Sequence, residues 1–306
     1  MKPDTAVINV LGKHNIHCEY HKNDESTKTV ILVNGAFATT ASFGQTVRYL
    51  RDKVNVLLFD LPYAGKSKEF NLDADILTKE DEVDILEYLI SHYKVNYLMS
   101  VSWGGVSSLL ALARRPPTIE RAIIGSFSPV INKAMHDYMA GAREMLEKNN
   151  MMSAAQLLNN TVGRYLSGLV KSRNFDYLMS VQTSKEQIIF HINQIFDFDQ
   201  RQYMQQFASI DVPVMFLNGE LDEYTTATDV RQLSQFIPQS EFAVVKNAGH
   251  FLDLESRHLW KTVSEVIREY LFNESPIALM RKPVFSVPSP FAAGMGQELV
   301  FAEAAD

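Results

Sequence analysis

The stretch YLMSVSWGG at residues 97–105 sets a short apolar run directly before a serine with small neighbours. The apolar run is typical of a strand buried on both faces, and the small residues after it are typical of a helix packed closely on a sheet. A serine on such a tight strand-to-helix turn projects at the carboxyl end of the sheet. Its neighbours two positions away must be small, because the two backbones meet there. Ser100 and Gly104 satisfy this requirement, so Ser102 is a candidate nucleophile.

Similar runs rich in Val, Ile and Phe alternate with helical patterns along most of the chain. This strand–helix order predicts an α/β fold with a mostly parallel, doubly wound sheet. One helix has a clear start signal, because Thr78 and Asp81 form a capping-box pattern. The predicted strands cover residues 29–35, 54–60, 97–102, 121–126, 213–219 and 241–247, after an opening antiparallel pair at 6–10 and 16–20.

The alternation is interrupted between residues 131 and 208, where the pattern is helical only. This insert contains seven of the 12 methionines of the chain. Methionine fills irregular apolar space, which indicates a lid over a pocket for a flexible apolar ligand; a helical subdomain that packs its own core is the alternative. We therefore predict an α/β core at 1–130 and 209–275, a helical lid at 131–208 and a loosely ordered tail at 276–306.

The composition excludes several classes of protein. With 306 residues, 46% of them hydrophobic and 21% charged, the chain has ordinary globular usage. A net charge of −7 argues against a nucleic-acid partner, which requires a basic surface. The single cysteine, Cys18, suits a reducing compartment. Since neither a signal peptide nor an apolar run of about 18 residues is present, we expect a cytoplasmic protein without a transmembrane segment.

A serine nucleophile needs a base, and the base needs a carboxylate that orients it. In this architecture the acid and then the histidine follow the serine along the chain. Asp222 and His250 each follow one of the last two predicted strands, so both belong to the carboxyl edge of the sheet. The sequence therefore predicts a catalytic triad of Ser102, Asp222 and His250. Glu223 is an alternative to Asp222 as the acid. The alternative for His250 is that it has only a structural role in its loop.

The other seven histidines lack such a position, and they show no metal-ligand spacing such as H-E-x-x-H, so we expect no metal site. Three lie in the N-terminal hairpin, where we expect them to be exposed. Two lie on outer helices, and two lie in the insert, where they would pack or line the pocket. In that order they are His14, His17, His21, His92, His258, His136 and His191.

Acyl transfer by a serine also needs two backbone N–H groups that stabilise the developing oxyanion. One is expected from Trp103, directly after the nucleophile, and the other from Ala36, in the turn after the first parallel strand. The positions of Met135, Met139 and His191 in the insert make them the candidate substrate-binding residues. This chemistry requires no cofactor.

The chain also resembles a known superfamily. The resemblance extends from about residue 5 to 272 and is carried by the strings VNGAFATTASF, FDLPYAGKS, SWGG, FSPVIN, FHINQ, NGELDEYTT and GHFLDLES. These resemble the α/β hydrolases, and among them two bacterial families. One is the 3-(3-hydroxyalkanoyloxy)alkanoic acid synthases, a component of rhamnosyltransferase 1 in rhamnolipid synthesis. The other is the 3-hydroxyacyl-ACP transacylases and thioesterases that supply polyhydroxyalkanoate synthesis. The resemblance implies catalytic roles for Ser102, Asp222 and His250.

The resemblance further implies a 3-hydroxyacyl chain delivered as a thioester on acyl carrier protein (ACP), an acidic partner for which Lys171 and Arg173 are candidate docking residues. Because an apolar insert would exclude water from the acyl-enzyme, we expect ester synthesis between two 3-hydroxyacyl chains. The alternatives are a 3-hydroxyacyl-ACP thioesterase and an ACP:CoA transacylase. A hypothesis of another class is a catalytically inactive binding protein with a hydrolase fold, which the intact Ser, Asp and His disfavour.

Overall fold

An eight-stranded sheet forms the centre of the computed structural model, which describes residues 2–36, 38–72, 75–180, 185–197 and 199–273. In chain order the strands are β1 (Asp4–Val10), β2 (His14–His21), β3 (Thr29–Val33), β4 (Asn55–Phe59), β5 (Tyr97–Val101), β6 (Arg121–Gly125), β7 (Val214–Gly219) and β8 (Ser240–Val245). Their order across the sheet is β1-β2-β4-β3-β5-β6-β7-β8. The pairs from β4 to β8 are parallel, whereas β2 pairs antiparallel with both β1 and β4.

This sheet confirms the predicted α/β class. Every residue of β3, β4 and β7 is buried, which explains why these strands are continuous apolar runs in the sequence. The expectation of exposed histidines in the N-terminal hairpin is wrong for His14 and His17, which are buried. The reason is the strand order: β2 lies inside the sheet, so its side chains have neighbours on both sides. The predicted tail at 276–306 lies outside the described residues.

Ten α-helices are found in the described part of the chain: α1 (Gly44–Leu50), α2 (Lys79–Tyr93), α3 (Gly104–Ala113), α4 (Lys133–Glu147), α5 (Met151–Asn160), α6 (Gly168–Ser180), α7 (Lys185–Phe196), α8 (Gln200–Gln206), α9 (Ala227–Val230) and α10 (Arg257–Phe272). α1 and α10 pack on one face of the sheet, and α2 and α3 pack on the other. The N-cap of α2 is Thr78, whose hydroxyl accepts the Asp81 N–H at 3.2 Å while Asp81 accepts the Thr78 N–H at 3.0 Å. None of the helices in these ranges is both long and apolar enough to cross a membrane.

The insert between β6 and β7 consists of α4 to α8, and its described residues contain no strand. Three helices are tied to the body. Gln187 of α7 exchanges two hydrogen bonds of 2.7 Å with the buried backbone of Leu77. The Tyr177 hydroxyl of α6 donates to Thr39 at 2.8 Å, and Asn132, the N-cap of α4, donates to the loop after β7. Since Thr39 follows β3, these ties place the insert at the carboxyl edge of the sheet.

Candidate active site

Ser102 lies in a sharp turn between β5 and α3. Its φ of +50° is in the left-handed region, which is unfavourable for a residue other than glycine. The turn is held by two backbone hydrogen bonds: the Ser102 N–H donates to Gly125 at 2.8 Å, and its carbonyl accepts the Gly105 N–H at 2.9 Å. Strain at one residue is thus maintained by the sheet and the helix on either side, and the hydroxyl projects beyond the carboxyl end of β5.

Two glycines allow the loop after β3 to lie directly against this turn. A Cβ added to Gly104 would lie 2.4 Å from the Asn34 carbonyl oxygen, and a Cβ added to Gly35 would lie 3.4 Å from the Ser102 Cβ. No larger residue than glycine fits at 104 without a shift of the backbone. The small residue that the sequence pattern requires two positions after the serine therefore has a direct steric cause, and the contact brings the turn that contains Ala36 beside the serine.

The three residues of the predicted triad lie in one chain of hydrogen bonds. His250 Nε2 is 3.0 Å from Ser102 Oγ, and His250 Nδ1 is 2.8 Å from Asp222 Oδ2. Because the carboxylate can only accept, the imidazole proton lies on Nδ1 and leaves Nε2 as the acceptor for the serine hydroxyl. The loops after β5, β7 and β8 supply one residue each, and the arrangement suits removal of the serine proton.

Asp222 is buried and fully hydrogen-bonded. Its Oδ1 accepts the N–H groups of Tyr224 at 3.0 Å and Thr225 at 3.1 Å, and its Oδ2 also accepts the Thr225 hydroxyl. Burial opposes the charge, but the attraction of His250 and these hydrogen bonds outweigh it and hold the pKa of the carboxyl below its ordinary value. Glu223 lies at the surface in an ion pair of 2.8 Å with Arg164. Asp222, not Glu223, therefore faces the histidine.

Glu255 is a residue of the site that the sequence analysis missed. Its buried carboxylate accepts the N–H of Gly249 at 2.8 Å and the N–H of Phe251 at 3.0 Å, the two residues on either side of His250. The Ser126 hydroxyl donates to the His250 carbonyl at 2.6 Å. These bonds fix the backbone that carries the imidazole. The only signal in the sequence is an acidic residue five positions after the histidine, which by itself has no specific meaning.

The two N–H groups expected to stabilise an oxyanion are both available. Within the hydrogen bonds of the described residues, neither the Trp103 N–H nor the Ala36 N–H has an acceptor. Trp103 stands at the start of α3, where the backbone N–H groups of a helix are unpaired. Ala36 is exposed and follows Gly35, where an added Cβ would lie 3.4 Å from the Ser102 Cβ. Two unpaired donors beside a nucleophile suit an oxyanion hole.

A large cavity of about 1270 Å³ opens beside Ser102. Its lining includes Ser102 and His250, and the candidate substrate-binding residues Met135, Met139 and His191. A smaller cavity of about 100 Å³ shares Ser102, Met135 and Met139 with it. Both methionines lie on α4, the first helix of the insert. The structure thus brings the expected pocket residues to the same place as the triad.

Three arginines that line the large cavity are exposed: Arg48, Arg173 and Arg257. None of them forms an ion pair with a described carboxylate, although the chain as a whole is acidic. Lys171, the other expected docking residue, is half-buried and is not part of the lining. Within the described ranges no group of three or more His, Cys, Asp or Glu side chains could hold a metal ion.

A serine activated by a histidine, with two N–H donors and an adjoining apolar cavity, can take an acyl group from an ester or thioester and pass it to a second nucleophile. Among the residues described, the triad is contributed entirely by loops at one edge of the sheet, whereas the cavity is formed by both the body and the insert.

Comparison with known proteins shows the family and the fold of the chain. The protein family described as alpha/beta hydrolase fold matches residues 28–256. The chain is 42% identical over 272 residues to the (R)-3-hydroxydecanoyl-ACP:CoA transacylase of Pseudomonas putida, which covers 89% of this chain and 92% of that protein. It is 43% identical to the protein of the same name from Pseudomonas aeruginosa, with 89% and 91% covered. The solved structure of the enol-lactonase from Burkholderia xenovorans LB400 is similar with a TM-score of 0.72 at 19% identity, over 88% of this chain and 100% of that one.

Proposed function

Since the chain belongs to the α/β-hydrolase family and is an enzyme of that fold, we propose that it transfers 3-hydroxyacyl chains from ACP to coenzyme A. The observation that carries the proposal is the hydrogen-bonded series Ser102, His250 and Asp222, which opens onto a cavity of about 1270 Å³. The names of two relatives that are more than 40% identical along nine-tenths of the chain supply the substrates. They favour the transacylase, the alternative in the sequence analysis, over the expected ester synthesis.

In the first half of the proposed reaction, Ser102 Oγ attacks the thioester carbonyl carbon while His250 Nε2 takes its proton. The charge that forms on the carbonyl oxygen is stabilised by the N–H groups of Trp103 and Ala36. When the C–S bond breaks, His250 returns the proton to the leaving sulfur of the carrier. The product is an ester of Ser102 with the 3-hydroxyacyl chain, and Asp222 balances the positive charge of the imidazolium throughout.

In the second half, the thiol of coenzyme A gives its proton to His250 and attacks the acyl-enzyme. The C–O bond to Ser102 breaks, and the serine recovers its proton from His250. The acyl-enzyme must survive until coenzyme A arrives although water is present at about 55 M. Exclusion of water by the insert, acting as a lid at 131–208 over the core, would provide this survival.

The arginines that line the cavity favour the proposal that both acyl carriers are anionic. ACP is acidic, and its prosthetic group and coenzyme A both bear phosphate. The guanidinium group recognises phosphate well, because its donors match the oxygens in pairs. Arg48, Arg173 and Arg257 are exposed, lack carboxylate partners among the described residues and line the cavity that contains Ser102. Of the two docking residues named from the sequence, Arg173 is therefore the better candidate.

Incubation with 3-hydroxydecanoyl-ACP and coenzyme A should give 3-hydroxydecanoyl-CoA as the main product by mass spectrometry. The reverse mixture, 3-hydroxydecanoyl-CoA with holo-ACP, should give the acyl-ACP, since both carriers use the same acyl-enzyme. Without coenzyme A only slow release of the free acid is expected. Two results would overturn the proposal. If the main product with coenzyme A present is the ester of two hydroxyacyl chains, the enzyme is a synthase. If it is the free acid, the enzyme is a thioesterase.

Replacement of Met135 or Met139 by tryptophan should shift the preferred acyl chain to a shorter length. Both side chains line the cavity beside the serine, so a larger ring would exclude the distal methylenes. Each excluded methylene loses about 0.8 kcal/mol of burial, a factor of about four in kcat/KM. The test compares kcat/KM across acyl-ACP substrates of increasing length. Met152→Trp is the control, because Met152 is 54% exposed and outside both linings. Identical length profiles for all three variants would place the acyl chain elsewhere.

A further inference from the structure

The indole N–H of Trp103 is a buried donor without an acceptor among the described residues. The side chain follows the nucleophile directly, and it lines both cavities that meet at Ser102. Buried N–H groups in folded proteins nearly always have a partner, so one without an acceptor in a cavity wall points to a group supplied by a ligand. The ligand atom must accept a hydrogen bond and must lie close to the carbon that Ser102 attacks.

His191 faces the same place from the insert. The centres of the two rings are 5.3 Å apart, and His191 lines the large cavity. Its Nε2 lies 2.9 Å from the Leu77 carbonyl oxygen and 3.5 Å from a Glu82 carboxylate oxygen. These two acceptors place the proton on Nε2, even though the Gln187 amide nitrogen is also 2.9 Å away. Nδ1 is then an acceptor, and it forms no hydrogen bond with any described residue.

Buried polar groups hold both rings in position. Glu82 and Lys79 form an ion pair of 2.7 Å and are 3% and 5% exposed. The Lys79 ammonium lies 4.4 Å from the centre of the Trp103 ring, and Glu82 faces His191. Burial lowers the pKa of His191 to about 4, so the imidazole is neutral at pH 7 and keeps its lone pair. Removing the two charges of this ion pair from water costs free energy. That cost is explained if the pair orients the rings of a recognition site.

We propose that Trp103 and His191 bind the 3-hydroxyl group of the acyl chain, with Trp103 Nε1–H donating to the hydroxyl oxygen and the hydroxyl donating to His191 Nδ1. One donor and one acceptor match the two hydrogen bonds that a hydroxyl forms best. C3 is two bonds from the carbon that Ser102 attacks, so its hydroxyl falls beside the residue that follows the serine. This inference rests on the proposed function for the class of substrate, and it makes Trp103 and His191 the residues that select 3-hydroxyacyl over unsubstituted chains.

The test measures the first half of the reaction alone, as single-turnover acylation of Ser102 followed by intact-protein mass spectrometry. Wild-type protein should react with 3-hydroxydecanoyl-ACP about 10²-fold faster than with decanoyl-ACP, because a chain without the hydroxyl leaves both buried groups unpaired. Equal rates for the two substrates would overturn the inference. Since no coenzyme A is present, the result does not depend on whether the second half forms a CoA thioester.

Two variants separate recognition from structure. Trp103→Phe keeps an aromatic ring and the backbone N–H but removes the indole donor, and His191→Gln keeps a donor for Leu77 but removes the Nδ1 acceptor. Each should lower the ratio between the two substrates about tenfold, the value of one hydrogen bond. Equal losses for both substrates would mean that the rings only support the fold. His136→Gln is the matched control, because His136 is exposed and outside both linings, and it should leave the ratio unchanged.

Discussion

Ser102→Ala is expected to lower kcat by about 10⁴–10⁶, the largest effect of any single change in this chain. The hydroxyl lies 3.0 Å from His250 Nε2, and among the described residues it is the nucleophilic group that hydrogen-bonds this nitrogen. In the proposed reaction the acyl-enzyme then cannot form, and direct attack by the acceptor thiol on the carrier thioester would be the remaining path. Steady-state rates of CoA thioester formation and the mass of the acylated protein both measure the loss.

The folding of this variant is easily checked, because alanine accepts the same backbone position at the same cost as serine. Circular dichroism and the melting temperature should therefore match the wild type within a few degrees. Retention of more than about a hundredth of the activity by the folded variant would show that another residue is the nucleophile.

Asp222→Asn is expected to lower kcat about 10⁴-fold. The carboxylate at 2.8 Å keeps the proton of His250 on Nδ1, and an amide that donates at this position would favour the other tautomer, with Nε2 protonated and unable to act as a base. Loss of the charge also removes the stabilisation of the imidazolium. The measurement is kcat at saturating substrate, since the binding of the acyl chain should change little.

Glu223→Gln is the matched control for this experiment, because it makes the same chemical change one residue away. Glu223 lies at the surface and pairs with Arg164, an interaction that contributes little to stability when exposed. Activity within about twofold of wild type is expected. A larger loss from Glu223→Gln than from Asp222→Asn would show that Glu223, and not Asp222, orients the histidine.

Much of the fold is legible in the sequence because parallel strands covered on both faces have to be apolar at every position. The runs that became β3, β4 and β7 could be recognised for this reason. Ser102, the proposed nucleophile, could be recognised for a steric reason, since the space between Gly104 and the Asn34 carbonyl permits no side chain. Asp222 and His250 followed from their places after the last two strands.

The remaining features depend on contacts between distant parts of the chain. The burial of His14 and His17 requires knowledge that β2 lies between β1 and β4, and no local pattern contains the strand order. Glu255 accepts hydrogen bonds from two backbone N–H groups, and since nearly every residue has such a group, the sequence gives no sign of this contact. Trp103 and His191 are separated by 88 residues, and only the path of the insert brings their rings together.

The product of the reaction could not be predicted from the catalytic residues. A synthase, a thioesterase and a transacylase share the same acyl-enzyme, so the triad alone cannot distinguish them. The apolar insert led the sequence analysis to favour ester synthesis, because such a pocket slows hydrolysis. A transacylase needs the same protection while its acyl-enzyme awaits a thiol. The proposal of a transacylase over a synthase therefore rests on the names of the relatives.

The left-handed backbone of Ser102 bears on the hypothesis of an inactive binding protein. A residue other than glycine in this conformation destabilises the fold by about 1–2 kcal/mol. A receptor that only held acyl chains would avoid this cost with glycine at 102, at the loss of the 3.0 Å hydrogen bond between the Ser102 hydroxyl and His250 Nε2. Seven other non-glycine residues of the described ranges share this conformation, but at Ser102 the strained residue is the one whose hydroxyl faces the imidazole, and that is where an enzyme needs a side chain.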